Sequence, residues 1–350
     1  MSNVIASACH SDRSEEFFKI LRFVQYDKKL SGLLRRLCLL AMTGIFVASC
    51  TPKEQPFNDI PSHEVVMRED VFIASDGAKL PYRKWLPNGK PKAVVLALHG
   101  FNDYSKAFEG AGEYLSARRI AVYAYDQRGF GKTEHTGIWA GEKNYISDVK
   151  QWVEHLARRH KSTPIYIMGE SMGGAVAVLA SAQPDFPEVA GVILVAPALW
   201  GGDAFNPLYR LSIIFSAHTF PYYELTGRGL KIQASDNIEM LKAMSKDPLI
   251  IKSTRVDAVY GVVNLMDAAY EAIPQGKTPI LFLYGEMDQV IPPVAMRNAL
   301  PRFLAPVYCI SYPQGYHMLL RDLNGAERMR NINDWIGKKA KNAQISDCIV

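Results

Sequence analysis

The stretch of sequence that decides the fold is PIYIMGESMGGAVAVLASA, residues 164–182. An apolar, β-rich run at 164–168 leads into GESMG at 169–173, and a helical pattern of small residues follows. A G-x-S-x-G turn between a strand and a helix is typical of a nucleophile elbow, which presents the serine hydroxyl above the sheet. The alternative is an ordinary turn with Ser171 as the helix N-cap, but strand, turn and helix together favour the elbow.

Outward from this turn, short apolar runs alternate with longer helical patterns. Such alternation predicts an α/β fold, with a mostly parallel central sheet and helices on both of its faces. The predicted strands are 93–98, 120–125, 164–168, 189–195, 279–284 and 307–311, and the predicted helices are 105–118, 145–160, 172–182, 294–303 and 324–339. An antiparallel pair, 64–73 and 79–85, precedes them.

The alternation stops between Ala196 and Thr278, a gap too long for an ordinary connection in a compact domain. Helical apolar patterns lie within it at 206–215, 237–245 and 256–273. We therefore predict a helical cap at about residues 198–277, inserted after the sixth strand and lying over the carboxyl ends of the strands.

Two polar residues follow the last two predicted strands. Asp288 lies in GEMDQVIP after 279–284, and His317 lies in GYHM after 307–311. Because a serine hydroxyl needs a base, and that base needs a group to hold its tautomer, we predict that Asp288 orients His317 and that His317 activates Ser171. Glu286 is the rival acid.

An oxyanion hole needs two backbone N–H groups directed at one point. The elbow itself predicts the N–H of Met172 as one donor, and the loop after strand 93–98 predicts the N–H of Phe101 as the other. The alternative for this loop is a plain strand-ending turn, and His99 within it is expected to pack or hydrogen-bond locally.

Five segments in this order, LHGFNDYS (98–105), YDQRGFGKTE (125–134), MGESMGG (168–174), LYGEMDQVIP (283–292) and GYHMLL (315–320), resemble the monoacylglycerol lipase and lysophospholipase branch of the α/β-hydrolases. The resemblance implies the α/β-hydrolase fold, the triad Ser171, Asp288 and His317, and an Asp126–Arg128 ion pair of structural role. It also favours Asp288 over Glu286. One departure is Asp103-Tyr104-Ser105, where the family usually has a second His-Ser.

Composition narrows the function classes. The 350 residues are 48 % hydrophobic, and 40 basic residues stand against 35 acidic ones, so the chain has a large core and no basic footprint for nucleic acid. The sequence contains no HExxH, no Walker loop and no GxGxxG after a strand, so we expect no metal and no cofactor. Cys309 in a predicted strand is most simply a small buried hydrophobe, and nothing in the sequence supports a bridge from it to Cys348.

The N-terminal residues have the pattern of a secretion signal. The apolar run 37–49 is too short to span a bilayer, basic residues precede it, and Val47-Ala48-Ser49-Cys50 follows the pattern of a bacterial lipobox. We expect residues 1–49 to be a signal peptide and Cys50 to carry lipid, with the protein in the bacterial cell envelope. The resemblance to bacterial lipoproteins, with Thr51 rather than Asp after the cysteine, implies anchoring in the outer membrane, facing the periplasm. A plain secretory signal is the alternative.

The leader before the apolar run is unusually long, which predicts a true start near Val24 or Leu30. Residues 50–62 then form the lipidated Cys and a polar, proline-bearing tether, and the hydrolase domain covers 63–350.

The expected function is a lipid-anchored serine hydrolase that acts on carboxylic esters of single-chain lipids, monoacylglycerols or lysophospholipids. Two alternatives remain. The same triad serves short-chain or aryl esterases and peptidases, because fold and triad do not fix the substrate. A non-catalytic envelope lipoprotein could keep the fold for binding, but it would have no need for a strained elbow.

Overall fold

The structure is a computed structural model, and it describes residues 51–201, 207–227, 229 and 232–337. Within that part of the chain, nine strands form one sheet in the order β1-β2-β3-β5-β4-β6-β7-β10-β11. The strands are β1 (Val66–Met67), β2 (Val71–Ile73), β3 (Lys79–Trp85), β4 (Ala93–Leu98), β5 (Ile120–Tyr125), β6 (Ile165–Glu170), β7 (Gly191–Val195), β8 (Glu224–Thr226), β9 (Ser253–Arg255), β10 (Ile280–Gly285) and β11 (Val307–Tyr312). From β5 to β11 the paired neighbours run parallel, and β1, β2 and β3 are antiparallel.

Helices cover both faces of this sheet. They are α1 (Glu109–Ser116), α2 (Glu142–Arg159), α3 (Met172–Ser181), α4 (Pro207–Thr219), α5 (Ile238–Lys246), α6 (Val256–Ala272), α7 (Pro293–Ala299) and α8 (Gly325–Ile336). Alternate side chains of each buried strand point to opposite layers, so that Val95 packs with α1 and α8 while Leu96 packs with α2, α3 and α6. Strands buried on both faces explain the continuous apolar runs in the sequence.

The predicted cap is present between β7 and β10 and consists of α4, β8, α5, β9 and α6. The antiparallel pair β8–β9, which the sequence did not predict, joins its two halves. Helix α6 packs on α3, and α4 packs on α6. Part of the inserted segment therefore belongs to the helical layer of the body, and α4 lies outermost.

Small differences separate the predicted elements from the structure. The predicted strand 64–73 is two short strands, β1 and β2, and the predicted helix 105–118 begins as a 3-10 helix, Ser105–Phe108, before α1. The predicted helix 294–303 likewise ends in a 3-10 turn, Leu300–Arg302.

The segment predicted as a free tether is attached to the body over part of its length. The N–H of Lys53 donates to Asp257 of α6 at 3.1 Å. Gln55 donates from its backbone N–H to Trp139 O and from its side chain to Ile138 O, both at 2.9 Å. The body therefore begins to hold the chain some residues before the predicted boundary at residue 63. Cys50 and the leader lie outside the described residues, among which no helix is both long and apolar enough to span a membrane.

The predicted Asp126–Arg128 ion pair is wrong. Arg128 is buried and pairs with Asp76 at 2.5 Å and Asp148 at 2.6 Å. The Asp126 carboxylate instead accepts the backbone N–H groups of Ser105 and Lys132. The loop is structural, as expected, but its cation reaches residues far away in sequence.

Cys309 corrects a second expectation. It lies in β11 with 2 % of its surface exposed, and it is disulfide-bonded rather than a simple buried hydrophobe.

Candidate active site

Ser171 occupies the turn between β6 and α3 in a strained backbone conformation. Its φ is +53° and its ψ is −117°, a combination that ordinary residues avoid. A Cβ on Gly169 would come within 2.3 Å of Gly173 O, and one on Gly173 would come within 2.0 Å of Leu98 O. Both glycines are therefore required by close backbone approach, and the half-buried Ser171 stands at the carboxyl end of the central strands.

The structure brings Asp288 and His317 together. Asp288 follows β10 and His317 follows β11, and Asp288 Oδ2 lies 2.7 Å from His317 Nδ1. The other carboxylate oxygen, Oδ1, accepts the N–H groups of Val290 and Ile291 at 2.7 and 2.9 Å. These bonds fix the carboxylate, which in turn orients the imidazole so that its Nε2 is the free nitrogen.

Glu286 does not share this environment. Its side chain is exposed, whereas Asp288 is 6 % exposed. Glu286 uses its backbone N–H to bond Tyr312 O and has no side-chain hydrogen bond within the described residues. Burial and hydrogen bonding thus favour Asp288 over Glu286 as the triad acid.

The two backbone N–H groups predicted as oxyanion donors are free to bind an oxyanion. Within the part of the chain that the structure describes, neither the N–H of Phe101 nor that of Met172 has a hydrogen-bond acceptor. A Cβ on Gly100, next to Phe101, would lie 3.3 Å from Ser171 Cβ, so the loop after β4 passes directly beside the elbow. Two unpaired backbone donors at this point are what a developing oxyanion needs.

No hydrogen bond joins Ser171 to His317 in the described structure. Active sites without substrate often hold such bonds long, and they shorten in the complex. Burial raises the pKa of the Glu170 carboxyl, directly before Ser171, and Arg321 and, more weakly, His317 act against that shift.

The departure from the family pattern at Asp103-Tyr104-Ser105 ties the oxyanion loop to other elements. Tyr104 Oη donates to Asp247, just after α5 in the cap, at 2.7 Å. Asp103 accepts from the partly buried Arg321 at 2.7 Å. Arg321 was not predicted from the sequence, because its partners are remote in the chain.

Asn102 makes a second link to the cap, which was not predicted from the sequence. Its side chain donates to Thr254 Oγ1 of β9 at 2.7 Å, and its carbonyl accepts the N–H of Ile251. The residue has φ +64°, a conformation that asparagine tolerates better than most residues. An Asn just after the His-Gly pair was the available signal for such a turn. The cap is thus bonded directly to the loop that carries a predicted oxyanion donor.

His99 has a local role, as expected. It is fully buried, its Nδ1 donates to Gly100 O at 2.8 Å, and its Nε2 accepts the N–H of Gln127 at 2.9 Å. Burial lowers the pKa of His99, so the ring is neutral and braces the loop.

The described residues hold no group of three or more His, Cys, Asp or Glu side chains that could bind a metal ion.

Comparisons with known proteins show which family and which relatives this chain is similar to. The family described as serine aminopeptidase S33 matches residues 89–324. Monoglyceride lipase from Mus musculus is 24 % identical over 297 residues, covering 83 % of this chain and 94 % of the mouse protein. Monoacylglycerol lipase from Mycolicibacterium smegmatis is 23 % identical over 288 residues, covering 77 % and 96 %.

Among solved structures, a soluble variant of the monoglyceride lipase from Saccharomyces cerevisiae, in complex with a substrate analogue, superposes with a TM-score of 0.65 at 17 % identity. The match covers 83 % of this chain and 99 % of the yeast chain. At that identity the similarity shows the fold.

Proposed function

This chain belongs to the serine aminopeptidase S33 family of α/β-hydrolases and is a serine ester hydrolase, and on that premise we propose that it cleaves monoacylglycerols through an acyl-enzyme on Ser171. The observation that carries the proposal is the strained Ser171 beside two unpaired N–H donors, with the Asp288–His317 pair after β10 and β11 at the same edge of the sheet. The lipase relatives support the lipid substrate.

In the first half of the reaction, Ser171 Oγ attacks the ester carbonyl while His317 Nε2 takes the hydroxyl proton. The carbonyl oxygen becomes an oxyanion, which accepts hydrogen bonds from the N–H groups of Phe101 and Met172. The tetrahedral adduct then collapses, the bond from carbon to the alcohol oxygen breaks, and His317 returns its proton to the leaving glycerol.

In the second half, water attacks the acyl-serine ester and His317 takes one of its protons. A second oxyanion forms in the same hole, the bond to Ser171 Oγ breaks, and His317 protonates that oxygen. Asp288 stays ionised throughout and stabilises the imidazolium in both steps. The products are glycerol and a fatty acid, and Ser171 is restored.

The surface of the cap supports a lipid substrate. On α4, the side chains of Leu208, Leu211 and Phe215 are 75, 63 and 55 % exposed, so this apolar face does not pack on the body. Between α4 and α6 lies an open groove of about 460 Å³ whose lining is mainly apolar. Exposed apolar patches of this kind mark contacts with lipid or protein.

We further propose that Cys50 carries lipid and anchors the enzyme in the outer membrane of a bacterium. The N-terminal sequence supports the lipid anchor, because basic residues precede a short apolar run and Val47-Ala48-Ser49-Cys50 follows it. The contact of Lys53 with Asp257 at the start of α6 supports an anchor close to the cap.

Replacing Cys50 by Ser should move the protein out of the membrane fraction, and the intact mass should show the loss of acyl groups. An unmodified Cys50 still joined to residue 49 would refute the anchor.

Turnover of a substrate panel tests the proposed activity. Monooleoylglycerol should be hydrolysed with higher kcat/KM than lysophosphatidylcholine, p-nitrophenyl butyrate or an aminoacyl p-nitroanilide. Ser171→Ala should fold and lose roughly four or more orders of magnitude in kcat, because members of a triad act as a unit. Release of p-nitroaniline as the best reaction would favour a second candidate, the aminopeptidase activity in the family's description.

A further inference from the structure

One partly buried guanidinium, that of Arg321, lies beside the predicted active site. Arg321 follows His317 by four residues in the loop after β11, and 15 % of its side chain is exposed. Its Nη1 donates to Asp103 Oδ2 at 2.7 Å, and its Nη2 donates to Glu170 Oε2 at 2.9 Å. One planar fork therefore bridges two carboxylates that lie on different elements.

Each carboxylate sits beside a predicted catalytic group. Glu170 is the last residue of β6 and directly precedes Ser171. Asp103 lies two residues after Phe101, in the loop that carries the predicted oxyanion donor. The guanidinium of Arg321 thus touches both of the loops that the nucleophile and the oxyanion donor come from, and it belongs to the loop of the base.

The charges in this group depend on one another. Asp103 and Glu170 are both buried, at 5 and 2 % exposure. Burial raises the pKa of Glu170, and Arg321 is the strongest influence against that shift. Without the guanidinium, two carboxylates would face each other in a poorly solvated site. They would have to take up a proton or move apart, and either change would displace the loops.

We propose that Arg321 is a positioning residue that sets the arrangement of Ser171, the Phe101 N–H and His317 by tying together the three loops that carry them. It does not touch the substrate's reacting atoms. The inference rests on the serine-hydrolase chemistry proposed above, but it does not depend on the lipid substrate. Small displacements matter at such a site, because a shift of about 1 Å can cost on the order of 100-fold in rate.

Arg321→Lys is the decisive variant, since an ammonium group keeps the charge but cannot hold both carboxylates in one fork. We expect kcat to fall at least about tenfold with KM changed less than about threefold. The rate constant for labelling by a fluorophosphonate should fall by the same factor, because labelling needs the same arrangement. The matched control is Arg302→Lys, which alters an exposed ion pair with Glu271 and should behave as wild type.

The split between kcat and KM separates positioning from a purely structural role, because a variant that is only less stable keeps both constants in its folded fraction.

Retention of kcat and labelling within twofold in folded Arg321→Lys would overturn the proposal, even if its Tm were lower. If that variant does not fold, Asp103→Asn decides, because it weakens only one arm. Its labelling rate should fall at least about threefold, and an unchanged rate would overturn the proposal as well. A wild-type enzyme that reacts with fluorophosphonate but does not cleave monoacylglycerol would refute the lipid substrate and leave this inference standing.

Discussion

At the residue scale, environment rather than identity assigns the roles of neighbouring acids. Asp288 and Glu286 are two residues apart and chemically equivalent, yet one is buried with its oxygens committed to His317 and to backbone N–H groups, and the other is exposed. Before the structure, only the family resemblance favoured Asp288 over Glu286. The burial that separates the two depends on how the loop after β10 folds.

Asp288→Asn tests this assignment directly. The amide keeps the shape but holds His317 in the wrong tautomer, so kcat should fall by roughly 10⁴ with little change in Tm. The matched variant Glu286→Gln should keep kcat within twofold, because its side chain is solvated and unpaired with any described residue. Steady-state kinetics on one soluble ester suffices. A severe Glu286→Gln beside a mild Asp288→Asn would mean that the acid is misassigned.

The buried ion pairs of Arg128 contribute to the stability of the fold. Its guanidinium joins Asp76 and Asp148, and Asp148 is fully buried. Arg128→Met would leave an uncompensated buried carboxylate, so the free energy of unfolding should fall by about 3–5 kcal/mol. Urea titration measures it, with Lys79→Met, which removes an exposed pair with Glu134, as the control that changes stability by less than about 1 kcal/mol. Equal effects of the two variants would contradict the buried network.

At the element scale, the strands of the parallel sheet were predictable because each is a continuous apolar run. β4 and β5 begin and end at the predicted residues, and β6, β7, β10 and β11 differ by one or two. The pair β8–β9 was not predictable, because Glu224–Thr226 and Ser253–Arg255 are three residues long and polar. The bend that divides the first predicted strand lies at Arg68-Glu69-Asp70, a charged run that does interrupt the apolar pattern between β1 and β2.

Helix α4 is the element whose apolar face has the clearest consequence. The structure leaves Ile214 and its neighbours exposed, which contradicts simple packing of this face on the body. If the face meets lipid, Ile214→Asp should lower kcat/KM for a long-chain monoacylglycerol at least about fivefold and leave p-nitrophenyl butyrate unchanged. Leu304→Asp is the control, since Leu304 is 79 % exposed but lies before β11, at the opposite edge of the sheet. Equal losses on both esters would argue against a lipid-contacting role.

At the scale of the whole molecule, the catalytic residues could be predicted from the sequence, but the contacts that hold their loops in place could not. The candidate nucleophile, acid and base followed from motifs at strand ends, since parallel strands place their carboxyl ends at one edge. The ties between loops did not follow, because Arg321 bonds to residues more than 150 positions away. The attachment of Gln55 to the loop before α2 is of the same kind. Such contacts depend on the completed packing and leave no periodic signal.

The dependence of kcat/KM on acyl length tests whether the active site and the cap bind the same substrate molecule. If the acyl chain lies along apolar cap surface, each added methylene should contribute about 0.8 kcal/mol, or roughly fourfold in kcat/KM, until that surface is filled. Monoacylglycerols from four to eighteen carbons, assayed below their aggregation limits, give the series. The rise should appear in kcat/KM and be smaller in Ile214→Asp than in Leu304→Asp. Flat or declining efficiency with length would assign the enzyme to short-chain esters, with the same triad and a cap that serves another purpose.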